Sequence, residues 1–508
     1  MAIGMVSGRR LDPRNIERLV EDALATLAEF GEPGADAQEL TDGPLTDPVE
    51  RSQIAMRNVR RTARRLATQS PFYARRFAAA AVKPDKLDAA GLAAIPVTVK
   101  GDLVRQPDDF RCADVPRYLA TRTTGTTGRP AEIWLSRYEM ELWPAIAALA
   151  AVLRDDFRPT DVMQVNISSR ATAAVTLDLA VCRLIGTGCR LLGCIPPDEA
   201  LDSLGNGGVT LLNTSPSYLG QLVVAARRRG MGPDEFRVRR IDVGGEILSP
   251  SLARAAASTF GGALVNDQFG MTEVLPVTGR TCSQGHLHHD VTTGLVEYLD
   301  LETGEPAAPG ALATAVITPY FPFRECMPVF RYDTRDVVRR IADEDLTCEV
   351  AGLPATTKVL GKADQLIRLA SPGGEAVQPK ACSSPAARPW EGGFSGEAVQ
   401  PKATAARPRE GGFSLVTPRE VVEAVEALPS RPWPARFRVS AAGGRLTLTL
   451  PEHALAGLGH ADAVSHFADR GLAVDLRLVP DDQAGSLRKL RCDLRETTFV
   501  AQPSVIGA

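Results

Sequence analysis

Between residues 118 and 320 the chain alternates short apolar runs with helical stretches, and this alternation restricts the fold more than any other feature. DVMQVNI (161–167), GVTLLNT (208–214), RRIDVGG (239–245) and ALVNDQF (263–269) read as strands. Helical stretches such as Tyr218–Arg229 and Ser251–Phe260 lie between them. A parallel strand pair needs a long crossover, usually a helix, so the pattern predicts an α/β fold with parallel sheet. Residues 293–350 change character. GLVEYLD, ATAVITP, VFRYDT and DVVRRIA are short strands joined by ETGEP and PG turns, which predicts a β-rich subdomain.

The flanks are simpler. An amphipathic helix is expected near Ile16–Phe30, and residues 51–80 read as a basic helix ending in Ser70-Pro71-Phe72-Tyr73. After Gly361 comes an apolar strand, LIRLA, and then a duplication: GEAVQPKA at 374–381 recurs at 396–403, and GGFS recurs at 411–414. Two copies are too few for a solenoid. The Gly, Pro, Ala and Ser content predicts a flexible insert at about 372–414. LVTPREVVEAVEAL, RFRVSA, RLTLTL, the helix Ala461–Arg470 and AVDLRLV then build a small α/β unit. The expected division is a large N-terminal body, 1–363, and a small C-terminal domain, 364–508.

Composition excludes several functions. With 58 Lys and Arg against 61 Asp and Glu the net charge is −3, too balanced for a nucleic-acid partner. No apolar run approaches the roughly 20 residues of a membrane span. The N-terminus, MAIGMVSGRRLDPRNIERL, has no apolar core before a cleavage site, so no secretory signal is read. Nine cysteines are scattered rather than densely spaced, which predicts a reduced, cytoplasmic compartment. Cys182, Cys189 and Cys194 lie in an apolar segment and are expected to be buried.

The most informative motif is Thr121-Arg-Thr-Thr-Gly-Thr-Thr-Gly-Arg-Pro130. Small residues let backbone N–H groups approach a polyphosphate, and hydroxyls add donors. No Gly-Lys-Ser/Thr follows, so it is not a P-loop. Asn266-Asp-Gln-Phe-Gly-Met-Thr-Glu273 carries a hydroxyl and a carboxylate at a strand end, a pairing suited to phosphate and Mg²⁺. Arg331-Tyr-Asp-Thr-Arg-Asp336, Gly361-Lys-Ala-Asp364 and Gly485-Ser-Leu-Arg-Lys489 follow in order. With SPFYARRF (70–77), IPVTVKGDLV (95–104) and NTSPSYLGQL (213–222), the series resembles the adenylate-forming superfamily, most closely its phenylacetate-CoA ligase-like branch.

The resemblance implies activation of a carboxylic acid with ATP and Mg²⁺, giving an acyl-adenylate that passes to CoA or a carrier-protein thiol. Thr123, Thr124, Gly125, Thr126, Thr127 and Gly128 would cradle phosphates. Gly244, Gly245 and Glu246 would line the adenine side, with Asn266, Asp267, Gln268 and Phe269 packing on adenine and Gly270 and Met271 completing the nucleotide-binding segment. Thr272 would contact the α-phosphate, Glu273 would hold Mg²⁺, and Asp336 and Lys362 would bind the ribose region. Asp364 matches the hinge, and Lys489 the lysine bridging carboxylate and phosphate. Relatives are often dimers, so a homodimer is an open expectation.

Departures from the pattern fall near the substrate. Arg335 stands where the family usually has Gly, and Asn166-Ile-Ser-Ser-Arg170 replaces the Gly/aromatic stretch of the aryl pocket. Ser168, Ser169, Arg170 and Tyr218 are therefore candidate substrate contacts. Some members of the branch carry a structural zinc, which makes Cys282, His286, Cys326 and Cys348 candidate ligands; unrelated thiols beside a solvated histidine cluster are the alternative. The leading reading is an aryl-acid ligase of secondary metabolism. An amide-forming ligase, or a diazotase activating nitrite for an aryl amine, keeps the adenylation and changes the acceptor.

Overall fold

Five parallel strands form the centre of the chain's computed structural model, which describes residues 9–31, 47–123, 130–168, 171–350, 352–370, 413–442 and 445–486. The chain divides into two compact units, Met1–Leu360 and Gly361–Ala508.

The first unit opens with α1 (Pro13–Phe30), capped by Asp12 and ended by Gly31 at φ +80°. Next come α2 (Pro48–Gln69) and α3 (Pro71–Ala79). The expected basic helix thus breaks at Ser70 rather than running through it. The Ser70 N–H closes α2 on the Leu66 carbonyl, while its hydroxyl accepts from the Tyr73 N–H to start α3. Pro71 fits the first turn of α3, where its missing N–H costs no helical bond. The aromatic side of α3 seeds the main core, with Phe72 stacked on Phe110 at 4.0 Å between ring centroids.

β1 (Leu119–Arg122) and β2 (Glu132–Leu135) form an antiparallel hairpin, followed by α4 (Arg137–Leu153). Ser136 and Glu139 make a capping box at the start of α4. The buried Glu139 also accepts from the N–H groups of Glu325 (2.7 Å) and Cys326 (3.2 Å) and faces Arg324 at 3.6 Å. A buried carboxylate needs such a set of donors. It pins α4 to the loop at 324–326.

The large sheet follows the alternation in the sequence. Its parallel part comprises β3 (Val162–Asn166), β4 (Gly188–Leu191), β5 (Leu211–Thr214), β6 (Arg240–Gly244) and β7 (Leu264–Phe269), in spatial order β4-β3-β5-β6-β7. The crossovers contain α5 (Thr172–Ile185), α6 (Pro197–Asn206), α7 (Pro216–Arg228) and α8 (Pro250–Thr259). β8 (Gly279–Thr281) and β9 (Leu287–His289) extend the β7 edge antiparallel. Of the three cysteines expected to be buried here, Cys182 is, Cys189 is half-buried and Cys194 is exposed, because β4 is the sheet's outer strand.

β10 (Gly294–Asp300), β11 (Leu312–Pro319) and β12 (Tyr332–Arg339) form an antiparallel sheet with β11 fully buried. The two strands expected from VFRYDT and DVVRRIA are one, β12, interrupted by a register shift opposite Thr314–Val316. Arg335 takes φ +57° at that irregularity. β13 (Ala355–Thr356) returns to pair with β9.

In the second unit, β14 (Gly361–Lys362) precedes β15 (Ile367–Ala370), which pairs antiparallel with β16 (Phe413–Val416). α9 (Pro418–Glu426) has a Thr417/Glu420 capping box. β17 (Arg438–Ala442), β18 (Arg445–Pro451) and β19 (Val474–Val479) form a sheet in that order, with α10 (His460–Ala468) in the β18–β19 crossover. Of the duplicated insert, only Phe413 and Ser414 fall among the described residues, and they open β16.

Candidate active site

Open α/β sheets bind ligands outside the carboxyl ends of their strands. In the first unit those ends carry the motif residues. β6 runs into Gly244 and Gly245, with Gly245 at φ +78°. A side chain at Gly244 would place its Cβ 3.0 Å from the Gln268 carbonyl oxygen, so only Gly lets β6 and β7 close up at this level. Glu246 reaches back and accepts from the Ser217 N–H at 3.0 Å, tying this loop to the start of α7.

β7 shows what the linear motif hides. Successive strand residues point to opposite faces. Asn266 and Gln268 point one way, each donating to Asp242 Oδ1, at 2.7 and 2.9 Å. Asp267 and Phe269 point the other way. Asp267 pairs with Lys358 at 3.6 Å, and Phe269 meets the His289 ring edge-on at 4.7 Å. Burial pushes His289 down to about 3, so its ring is neutral, and its Nδ1 meets the Tyr298 hydroxyl at 2.9 Å. The four residues proposed to pack on adenine are therefore split between two faces of β7.

Beyond Gly270 a turn carries Met271, Thr272 and Glu273. Glu273 is 3% exposed, and the Tyr332 hydroxyl donates to it at 3.5 Å. Burial and the Glu273 carboxylate raise the Tyr332 phenol, which stays a donor. Asp336 is buried four residues along β12. The intervening bend is held by the Arg335 N–H on Asp333 Oδ1 (2.8 Å) and the Asp336 N–H on Thr334 Oγ1 (3.1 Å).

Several candidates take structural positions. Thr123 closes the β1–β2 hairpin: its N–H and its Oγ1 each bond to Ala131, both at 3.0 Å. Thr124, Gly125, Thr126, Thr127 and Gly128 lie outside the described residues, as do Ser169, Arg170 and Lys489. Ser168 is exposed at the end of the β3 loop. Tyr218 is 5% exposed, with its hydroxyl committed to the Ile195 carbonyl, and acts as a brace for α7. Lys362 and Asp364 belong to the second unit, in β14 and the short turn after it.

The metal candidates need one correction. Cys282, His286, His288 and Cys348 converge, with their ligand atoms all within 4.8 Å of one another. Cys326 is elsewhere, buried in the main core beside Glu139. His288 takes its place because strand alternation along β9 turns it toward the thiols. His288 Nε2 lies 3.4 Å from Cys348 Sγ. That is close to the roughly 3.5 Å edge of a tetrahedron with ordinary Zn–S and Zn–N bonds. The His286 N–H donates to Cys282 Sγ at 3.3 Å, and His286 Nδ1 is buried without a partner among the described residues. Two thiols and two imidazoles around one point fit a closed zinc site.

With this geometry in place, comparison with known proteins is informative. Residues 106–311 match the family described as AMP-binding enzyme. The chain is 23% identical to a phenylacetate-coenzyme A ligase of Aromatoleum evansii over 348 residues, covering 63% of this chain and 74% of that protein. It is 24% identical to the phenylacetate-coenzyme A ligase of Thermus thermophilus over 325 residues, covering 58% and 67%. Among solved structures, 2-hydroxyisobutyryl-CoA ligase in its postadenylation state with 2-HIB-AMP superposes with a TM-score of 0.68 at 18% identity, over 88% of this chain and 90% of that one. That likeness shows a shared fold.

Proposed function

Because the chain carries an AMP-binding enzyme domain of the adenylate-forming superfamily, we propose that it is an AMP-forming acid–CoA ligase. It activates an aryl or aryl-like carboxylic acid with ATP, releases pyrophosphate and passes the acyl group to CoA. A carrier-protein thiol is the alternative acceptor. One observation carries the reading: the Gly244–Glu246 loop and the Thr272–Glu273 turn lie at the carboxyl edge of one parallel sheet. The distant relatives support the acid–CoA ligase chemistry, and the polar Ser168–Arg170 stretch argues for a substrate other than plain phenylacetate. Among the described residues no helix is long and apolar enough to cross a membrane. The reading is of a cytoplasmic enzyme of secondary metabolism.

The chemistry joins two anions. The attacking carboxylate and the α-phosphate repel, and charge builds on the phosphate oxygens in the transition state. On this reading Lys489 supplies an ammonium between them, Thr272 donates to the α-phosphate, and Thr124–Gly128 hold the outer phosphates. Glu273 holds Mg²⁺, which neutralises phosphate charge. Phe269 packs on adenine with neutral His289 behind it, and Asp336 accepts from the ribose hydroxyls, with Lys362 as a point-charge contact. Cys282, His286, His288 and Cys348 hold a structural zinc.

The test is pyrophosphate release across a set of aryl acids, with and without CoA. Acid-dependent release with formation of the CoA thioester is expected. Release that requires nitrite and an aryl amine, and ignores every acid, would overturn the reading.

A further inference from the structure

The parallel sheet holds a carboxylate that the proposed reaction does not use. Asp178 and Cys182, one turn apart on α5, face the sheet. Cys182 Sγ rests 3.8 Å from Met163 Sδ on β3, and the Asn213 amide nitrogen on β5 donates to Asp178 Oδ2 at 2.8 Å. The C-terminal half of this face is sealed, since Cys182 is buried with Met163, Val165 and Leu211. Its N-terminal half is not. Asp178 and Val175 are half-buried, and neighbouring Ala174 is exposed. A crossover helix runs antiparallel to its strands, so this open half lies over their carboxyl ends. Asp178 therefore sits toward the same edge of the sheet as the Gly244–Glu246 loop.

The sheet next to Asp178 is polar. Asn213, Asp242 and Asn266 lie side by side on β5, β6 and β7, in register. Asp242 is satisfied by Asn266, by Gln268 and by Arg240 at 3.0 Å. Asp178 is not: among the described residues its one polar partner is Asn213, and no cation pairs with it. Burial, with Asp242 and Cys189 nearby, pushes its carboxyl up to about 8. Asn213 gives its amide nitrogen to Asp178 and has its carbonyl oxygen left to offer. A ligand amino or ammonium group beside them would donate to the Asn213 oxygen and, through its positive charge, favour the ionised form of Asp178, giving a charge-assisted pair.

We propose that Asp178, with Asn213, determines substrate choice: the acid activated here bears an amino group, which Asp178 receives where α5 meets β5. The proposal rests on the ligase reading above. The experiment measures pyrophosphate release with phenylacetic and cinnamic acids, each with and without a ring amino group. For the native chain, kcat/KM should favour the amino-bearing acid of a pair tenfold or more. Asp178→Leu should bring that ratio close to one, with the loss in KM for the amino acid. Asp178→Asn, which keeps the shape of the side chain and can still accept from Asn213, serves if the leucine variant fails to fold, and should lower the ratio in the same direction. Acid-dependent release with no preference for the amino group overturns the proposal and leaves the ligase reading standing. A preference that survives both substitutions also overturns it. No release with any acid overturns the ligase reading, and the proposal with it.

Discussion

Arg335 holds a left-handed backbone, φ +57°, where β12 shifts register. A side chain in that region costs roughly 1–2 kcal/mol, and Gly gives back part of this in unfolded-state entropy. Arg335→Gly keeps the N–H that bonds Asp333 and should stabilise the chain by about 1 kcal/mol or less, seen as a higher midpoint in chemical denaturation. Asp178 gives a pH-dependent test. Its folded carboxyl titrates near pH 8, well above the unfolded group. Below about pH 4 both states are protonated and its contribution to stability is complete. Between there and pH 8 only the unfolded state releases the proton, so stability falls as pH rises. Asp178→Asn does not titrate, so its melting temperature should gain on the native chain steadily from pH 4 to 8. A constant difference would show that Asp178 is not held protonated. The Gly244–Glu246 motif marks in sequence where β6 ends, and the strand does end there, with Gly245 at φ +78°. Asp178 was not legible. Its chemistry arises only because α5 and β5 meet, and nothing local marks a half-buried carboxylate whose one polar partner among the described residues is an amide.

Elements were read more reliably than residues. All four runs expected as strands are strands at close to their limits; β3, β5 and β6 are mostly buried, while β7 is only partly covered and keeps the polar Asn266–Gln268 stretch. The errors arose where one residue serves two neighbours. Ser70 ends α2 and begins α3, and Arg335 keeps two short runs in one bent strand. The metal cluster shows the same limit. Cys282, His286 and His288 belong to the β8–β9 hairpin, while Cys348 arrives from beyond β12, so spacing could not choose between Cys326 and His288. The choice is testable. Purified chain should contain close to one zinc, and His288→Ala should remove it and lower the melting temperature. Cys326→Ser should retain the zinc even if it weakens the core. A strong chelator should likewise lower the melting temperature of the native chain but leave His288→Ala unaffected. Zinc retained in His288→Ala and lost in Cys326→Ser would restore the assignment made from sequence.

At the scale of the whole molecule, the chain divides into a large unit that holds the sheet and a small one whose sequence carries Lys489. With only 8 lysines against 50 arginines, a lysine at the position proposed for the bridging ammonium stands out from the composition. Arg is the more common cation here but is a planar fork; an ammonium is a compact point charge that can sit between two closely spaced anions. This gives the assignment a stringent test, because charge alone should not suffice. Lys489→Ala should slow acid-dependent pyrophosphate release by about 10²–10³, the usual effect of removing a preorganised group that stabilises transition-state charge. Lys489→Arg should recover little of it. ATP affinity, measured by calorimetry, should be nearly unchanged in both, since Phe269 and Asp336, the contacts proposed for adenine and ribose, belong to the other unit. Loss of ATP binding together with turnover would instead make Lys489 a ground-state contact. Full release in Lys489→Ala would assign the bridging charge to another residue.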